Sequence, residues 1–308
     1  ASDVYKRQEY SHEIREHRLH REIMATQLAN DIINRMGMSY IHRQQTATGA
    51  SAADVARAYT AVMEIFGLPD LWAQIEALDN QVSAAVQMEM MLSAIRLIKR
   101  ATRWLLRNRR HQLAPTDCIA AFESGLEQLR EAYPAMLRGR AESQFDAQFQ
   151  HFVEEGVHPD LAQAVAASDH AYTALGIIQA TSDTDVQLMD VANFYFAMGE
   201  RLELDWFSSL ILASKVDNEW QALARDTYLE DLEWQQRTLA IGALRHMGED
   251  RNLLKCMKSW EKKEAPLLAR WRQMLVELHA TAAPDFAMFA VANRELLDLA
   301  QSSTLGGQ

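Results

Sequence analysis

Cysteine is almost missing from this 308-residue sequence, with Cys118 and Cys256 the only two. Two thiols cannot build a disulfide framework; a single bridge stays open as an alternative to two free, buried thiols in a reducing cytosol, which is the expectation. Proline and glycine are scarce as well, at six and twelve. That scarcity argues against a turn-rich all-β protein and for long, rarely interrupted helices. No window sustains strict alternation of β-branched residues, no Asn-Gly hairpin signal occurs, and no repeat of fixed period stands out. The longest apolar runs are short: Trp206 to Ala213 already contains two serines, so no membrane-spanning helix is expected. No signal-peptide pattern opens the chain, and its first residue is alanine; a cytoplasmic piece of something longer is the expectation.

Positive charge is thin in the second half. Residues 1–140 carry 18 Lys and Arg against 16 Asp and Glu, whereas residues 141–308 carry 13 against 26. So acidic a half repels phosphate and disfavours nucleic acid as a partner. The asymmetry suggests an N-terminal helical subdomain, 1–140, and an acidic C-terminal one, 141–308, meeting at Arg138-Gly139-Arg140, unless the whole is one continuous helical domain.

What is present is helical periodicity. The first long segment, about 8–35, has Leu19, Ile23, Leu28, Ile32 and Ile33 on a 3.6-residue period, with Gly37 at its end. A short helix over about 39–47 follows. Ser51 is placed as an N-cap, with Asp54 three residues on, for a helix buried through Val55, Tyr59, Val62 and Phe66. Leu68-Pro69 opens another to about Leu78. About 83–110 holds no breaker and reads as one long helix. After Pro115, Ile119, Phe122, Leu126, Leu129 and Tyr133 form a helix-on-helix seam that Pro134 should close. Further helices are expected over about 145–154, 160–167, 169–181, 185–200, 205–214, 217–247, 250–280 (broken or kinked by Pro266) and 285–302. The fold class is therefore all-α, an antiparallel helical bundle or array.

Chemical signatures are few. His12, His17 and His20 sit on the first helix, but an i, i+5 spacing does not share a face, so a metal site there is disfavoured against a solvated helix. Glu9–His12 and Glu155–His158 have the Glu-x-x-His spacing of di-metal bundles, yet one lies at the uncertain chain start and the other spans Gly156 and abuts Pro159. No G-x-G-x-x-G turn follows a strand, and neither a P-loop nor a G-x-S-x-G elbow occurs. Cys118, near a helix start, reads as a buried structural thiol. The aromatic stretches 192–199 and 204–207 read as core. The most suggestive surface is Arg96, Arg100, Arg103, Arg107 and Arg110, whose 4-3-4-3 steps make one continuous basic face, widened by Lys99 and Arg109. It reads as a solvated face or as an interaction surface for an acidic protein, and the acidic half of this chain is one candidate partner.

Particular wording goes further. HRLHREIMATQLANDIINRMG (His17 to Gly37) is followed in order by Thr48-Gly49-Ala50-Ser51, Val55-Ala56-Arg57-Ala58-Tyr59, Ile65-Phe66-Gly67-Leu68, Leu71-Trp72, Ile75 to Asn80 and Arg103 to Asn108. Val191-Ala192, Tyr195-Phe196, Leu204-Asp205-Trp206 and Trp220 to Arg225 extend the series. This order resembles the helical C-terminal region of the very long bacterial NAD-specific glutamate dehydrogenases. His20 stands where the family pattern has Arg, and Thr46 and Ala47 where it has acidic residues, so ion pairs at those places are not carried over. The resemblance implies a parent enzyme that deaminates L-glutamate to 2-oxoglutarate and ammonia while reducing NAD. It places NAD and the catalytic residues upstream, so this chain has no catalytic, cofactor-binding or metal residue of its own and binds no cofactor. Its implied partners are the catalytic core and neighbouring subunits, with neither nucleic acid nor membrane. Two rival readings are a freestanding adaptor using the Arg96–Arg110 stripe and a metal-dependent bundle enzyme.

Overall fold

The structure, a computed structural model, describes residues 18–109, 111–182, 186–245 and 252–305. Every regular element among them is a helix, fifteen in all, and the chain is all-α. The helices are α1 (His20–Met36), α2 (Tyr40–Thr48), α3 (Ala52–Ile65), α4 (Leu68–Glu76), α5 (Ala84–Asn108), α6 (Pro115–Met136), α7 (Gly139–Glu154) and α8 (Pro159–Ala171). They continue as α9 (Thr173–Ser182), α10 (Leu188–Arg201), α11 (Leu204–Ala213), α12 (Glu219–Leu244), α13 (Leu253–Lys263), α14 (Ala265–Ala280) and α15 (Phe286–Leu305).

Local chemistry sets several starts. Ser51, Ser83, Asn218 and Asn252 each accept a backbone N–H three residues on, capping α3, α5, α12 and α13. At α3 the expected capping box is altered: the Ser51 hydroxyl donates to Asp54 Oδ2 at 2.7 Å, so the Asp54 side chain answers the hydroxyl. Gly37 has positive φ but extended ψ, not the left-handed cap geometry that its place after α1 suggests. Pro134 does not close α6, which runs two residues further, to Met136. A proline in a last turn removes a single ladder bond, and Leu137 N–H still reaches Tyr133 O at 3.3 Å. Pro266 does divide its stretch: α13 stops at Lys263, Glu264 intervenes, and Pro266 lies in the first turn of α14. Gly139 begins α7, so helix resumes directly after Arg138, earlier than the apolar pattern suggests.

The main core is one contiguous cluster of buried apolar side chains from Ile32 to Ala300, drawing on both sides of Arg138–Arg140. Edge-to-face aromatic pairs stud it, among them Trp104–Phe122, Tyr133–Phe196 and Phe207–Trp271. A smaller cluster joins α4, α5, α7 and α8 through Ile75, Met90, Phe152 and Val165. Of the stripe expected on α1, Ile32 is buried, whereas Leu19 and Ile33 stand about half exposed at 45% and 46%; α1 anchors near its C-terminal end, where Asp31 accepts from the Tyr59 hydroxyl at 2.7 Å.

Helix α12 is the hub. Its buried Gln235 and Gln236 donate to backbone carbonyls of α15 (Asn293 O, 3.0 Å) and α10 (Tyr195 O, 3.0 Å). Such bonds keep polar atoms satisfied inside the core and fix the depth of each neighbour. Gly242 lets α15 come so close that a Cβ there would lie 2.8 Å from Ser303 O. Cys118 and Cys256 are buried and free, their thiols donating to Gln112 O and Ala243 O.

Candidate functional site

The basic face of α5 follows from helix geometry, because steps of four and three keep side chains on one side. Its outer end meets the chain itself. Arg96 donates to Ser93 Oγ at 2.8 Å, which also accepts from Gln148 of α7 at 3.2 Å. The Arg100 guanidinium lies 5.2 Å above the Tyr172 ring, a cation–π distance. Arg103 is more enclosed than either of its partners: it donates to Asp226 Oδ2 at 2.8 Å and Glu230 Oε1 at 3.0 Å. Arg107 pairs with the other Glu230 oxygen and donates to Ala47 O at 3.1 Å. Arg109 rests over Phe122 at 5.3 Å. Arg110 lies outside the described residues, as do Glu9, His12 and His17.

The counterpart on α12 has the same rhythm. Asp226, Glu230, Glu233 and Arg237 step by 4, 3, 4, so a ladder that is acidic over its first three members faces the basic one across the α5–α12 junction. These α12 residues went unread in the sequence, although the spacing that drew attention to α5 was equally present there. Burial opposes the Arg103 cation, but the Asp226 hydrogen bond and the Glu230 and Asp226 charges outweigh it and hold its pKa above the ordinary value. The inner end is drier. Arg237 donates to Asn108 Oδ1 at 2.9 Å and lies 5.5 Å from the Trp104 ring. Glu233 Oε1 is fully enclosed and has no hydrogen-bond partner among the described residues. Burial pushes the Glu233 carboxyl up to about 7, against the pull of Arg237 and Trp104. Gly176 of α9 provides the room, since a Cβ there would sit 2.8 Å from Glu233 Oε1.

The other candidates read from the sequence stay dispersed. Glu155 ends α7 and His158 precedes α8, with His158 Nδ1 accepting from the Asp160 backbone N–H at 3.4 Å. Among the described residues no group of three His, Cys, Asp or Glu side chains is placed to hold a metal ion, and no helix is long and apolar enough to cross a membrane. What the arrangement can do is mechanical and electrostatic: it ties α2, α5 and α12 together around charges that would otherwise face solvent.

A family described as "Glutamate dehydrogenase, C-terminal" matches residues 6–298. The chain belongs to that family. Relatives named NAD-specific glutamate dehydrogenase include one from Pseudomonas aeruginosa, 43% identical over 95% of this chain, and one from Halomonas elongata, 42% identical over 96%. A third, from Mycobacterium tuberculosis, is 30% identical over 97%. The chain spans 18% of the length of each of these relatives. Among the described residues there is no strand, and so no strand-to-helix glycine turn of the dinucleotide-binding kind. The positive-φ glycines at 37, 49, 67, 139 and 156 each lie at a junction between two helices, whereas a pyrophosphate cradle needs a glycine turn from strand to helix. Within this family, then, the described part of the chain contributes helices and the junctions between them.

Proposed function

We propose that this chain is the non-catalytic, helical C-terminal region of a cytoplasmic NAD-dependent glutamate dehydrogenase. The parent reaction is L-glutamate, NAD and water going to 2-oxoglutarate, ammonia and NADH. The chain supports the catalytic core and its contacts with neighbouring subunits, and hydride transfer takes place on another segment. The observation that carries this reading is the pairing of the two charge ladders. Arg103 and Arg107 meet Asp226 and Glu230 of the same chain, which suits an internally braced body. The match to C-terminal segments of NAD-specific enzymes supplies the chemistry.

Extending the reading frame upstream tests the proposal. A dehydrogenase segment with a strand-to-helix nucleotide turn is the expected result. A frame without one would overturn the proposal and return the chain to the adaptor reading.

A further inference from the structure

The outward side of α12 carries an unusual set of residues. Trp220, Leu223, Thr227, Asp231, Trp234 and Thr238 fall within an arc of about 80° at 100° per residue, along about 27 Å of helix. Trp220 is 80% exposed, Trp234 41% and Leu223 36%. Asp231 is the one charged residue among those six positions. The rest of the same helix is already engaged: the far side of its C-terminal half buries Leu232, Leu239, Ala240 and Ala243, while Asp226 and Glu230, flanking the outward face, hold Arg103. No residue from 219 to 231 is fully buried. A helix apolar on more than one side needs cover on more than one side, and tryptophan with few charges is the composition of a protein interface core.

Charge narrows the occupant. Glu219 and Asp231 are exposed on or beside this face, and the chain carries a net charge of −11. An anionic membrane surface is repelled, and a second copy would bring an equally acidic helix against it. The chain spans 18% of its relatives' length, so in such proteins most of the polypeptide is tethered beside it. Tethering raises the effective concentration of that neighbour into a range where a modest patch suffices. We propose that the Trp220–Leu223–Trp234 face of α12 is the docking surface for the upstream, catalytic portion of the same enzyme polypeptide. This rests on the function proposed above, and the occupying segment presents apolar side chains with a basic rim.

The test uses the full-length polypeptide encoded by the gene that carries this chain. The photo-reactive residue p-benzoylphenylalanine replaces Trp220 or Trp234, one at a time. Both positions face outward, so the core is left intact. Cross-links located by mass spectrometry in the upstream segment are the expected result, with most of the yield lost when Leu223→Glu is added. Cross-links into the 308-residue region of a second copy, an unchanged yield with Leu223→Glu, or no cross-link at all would overturn the inference. The two failures separate cleanly: a gene without an upstream dehydrogenase segment defeats the proposed function, whereas an intact gene with no such cross-link defeats this surface alone.

Discussion

Arg103 donates to two carboxylates while only 18% of its side chain stays exposed, so truncating it leaves Asp226 and Glu230 facing each other at reduced solvation. Arg103→Ala is expected to destabilise the chain by about 2–3 kcal/mol, between the ~1 of an exposed pair and the ~3–5 of a buried one. Arg107→Ala, at a position 35% exposed, should cost less, about 1 kcal/mol or below. Denaturant unfolding of the two variants checks the order. Glu233 gives a pH signature. Its carboxyl is raised from 4.5 to about 7 by burial, so the folded state binds a proton that the unfolded state has released. The resulting stabilisation is complete below pH 4.5 and is lost as pH rises through about 7. Glu233→Gln, which mimics the neutral form, should flatten that decline and raise stability at pH 8, by an amount on the order of 3 kcal/mol at most. Unfolding midpoints measured across that range decide it, and a variant that kept the wild-type slope would rule Glu233 out as the source. The arginine ladder was legible because its period is visible in a single segment. Its acidic partner lies more than a hundred positions away, and nothing local says that the two helices meet.

At the scale of elements, the α12–α15 junction depends on one missing side chain. Alanine at position 242 would place a Cβ 2.8 Å from Ser303 O and 2.9 Å from Ser303 C. Backbone cannot step aside as a flexible side chain can. Gly242→Ala should therefore lose about 1–3 kcal/mol to overpacking, more than the ~1 kcal/mol that alanine gains in helix propensity. Thermal unfolding is the readout, and a stabilised variant would show that the helices can separate at little cost. Most elements were readable from the sequence: the cap at Ser51, the α6 seam and the break at Pro266 follow from local rules. Other features, beyond the Gly37 geometry and the passage of α6 through Pro134, were not. The α7 start at Gly139 lacks an apolar signal, and α1 exposes part of its periodic stripe because Leu19 precedes the helix, far from the anchor at Asp31 and Ile32, while Ile33 is turned about 100° away from the buried Ile32.

For the molecule as a whole, the fold class was legible because period, breaker scarcity and chain length all agree. Function was legible only through wording shared with a family, since composition and spacing by themselves pointed to no reaction. The charge asymmetry between halves corresponds, in the structure, to a basic α5 face set against an acidic α12 face. On the function proposed above, the hydride chemistry of glutamate oxidation belongs to another segment of the polypeptide. Mixing the purified 308-residue chain with L-glutamate and NAD and following NADH fluorescence, with the full-length enzyme assayed alongside, probes that division of labour without intermediaries. NADH is expected from the full-length enzyme and none above background from the chain alone. Glutamate-dependent NADH formation by the isolated chain, co-eluting with it through purification, would contradict that division.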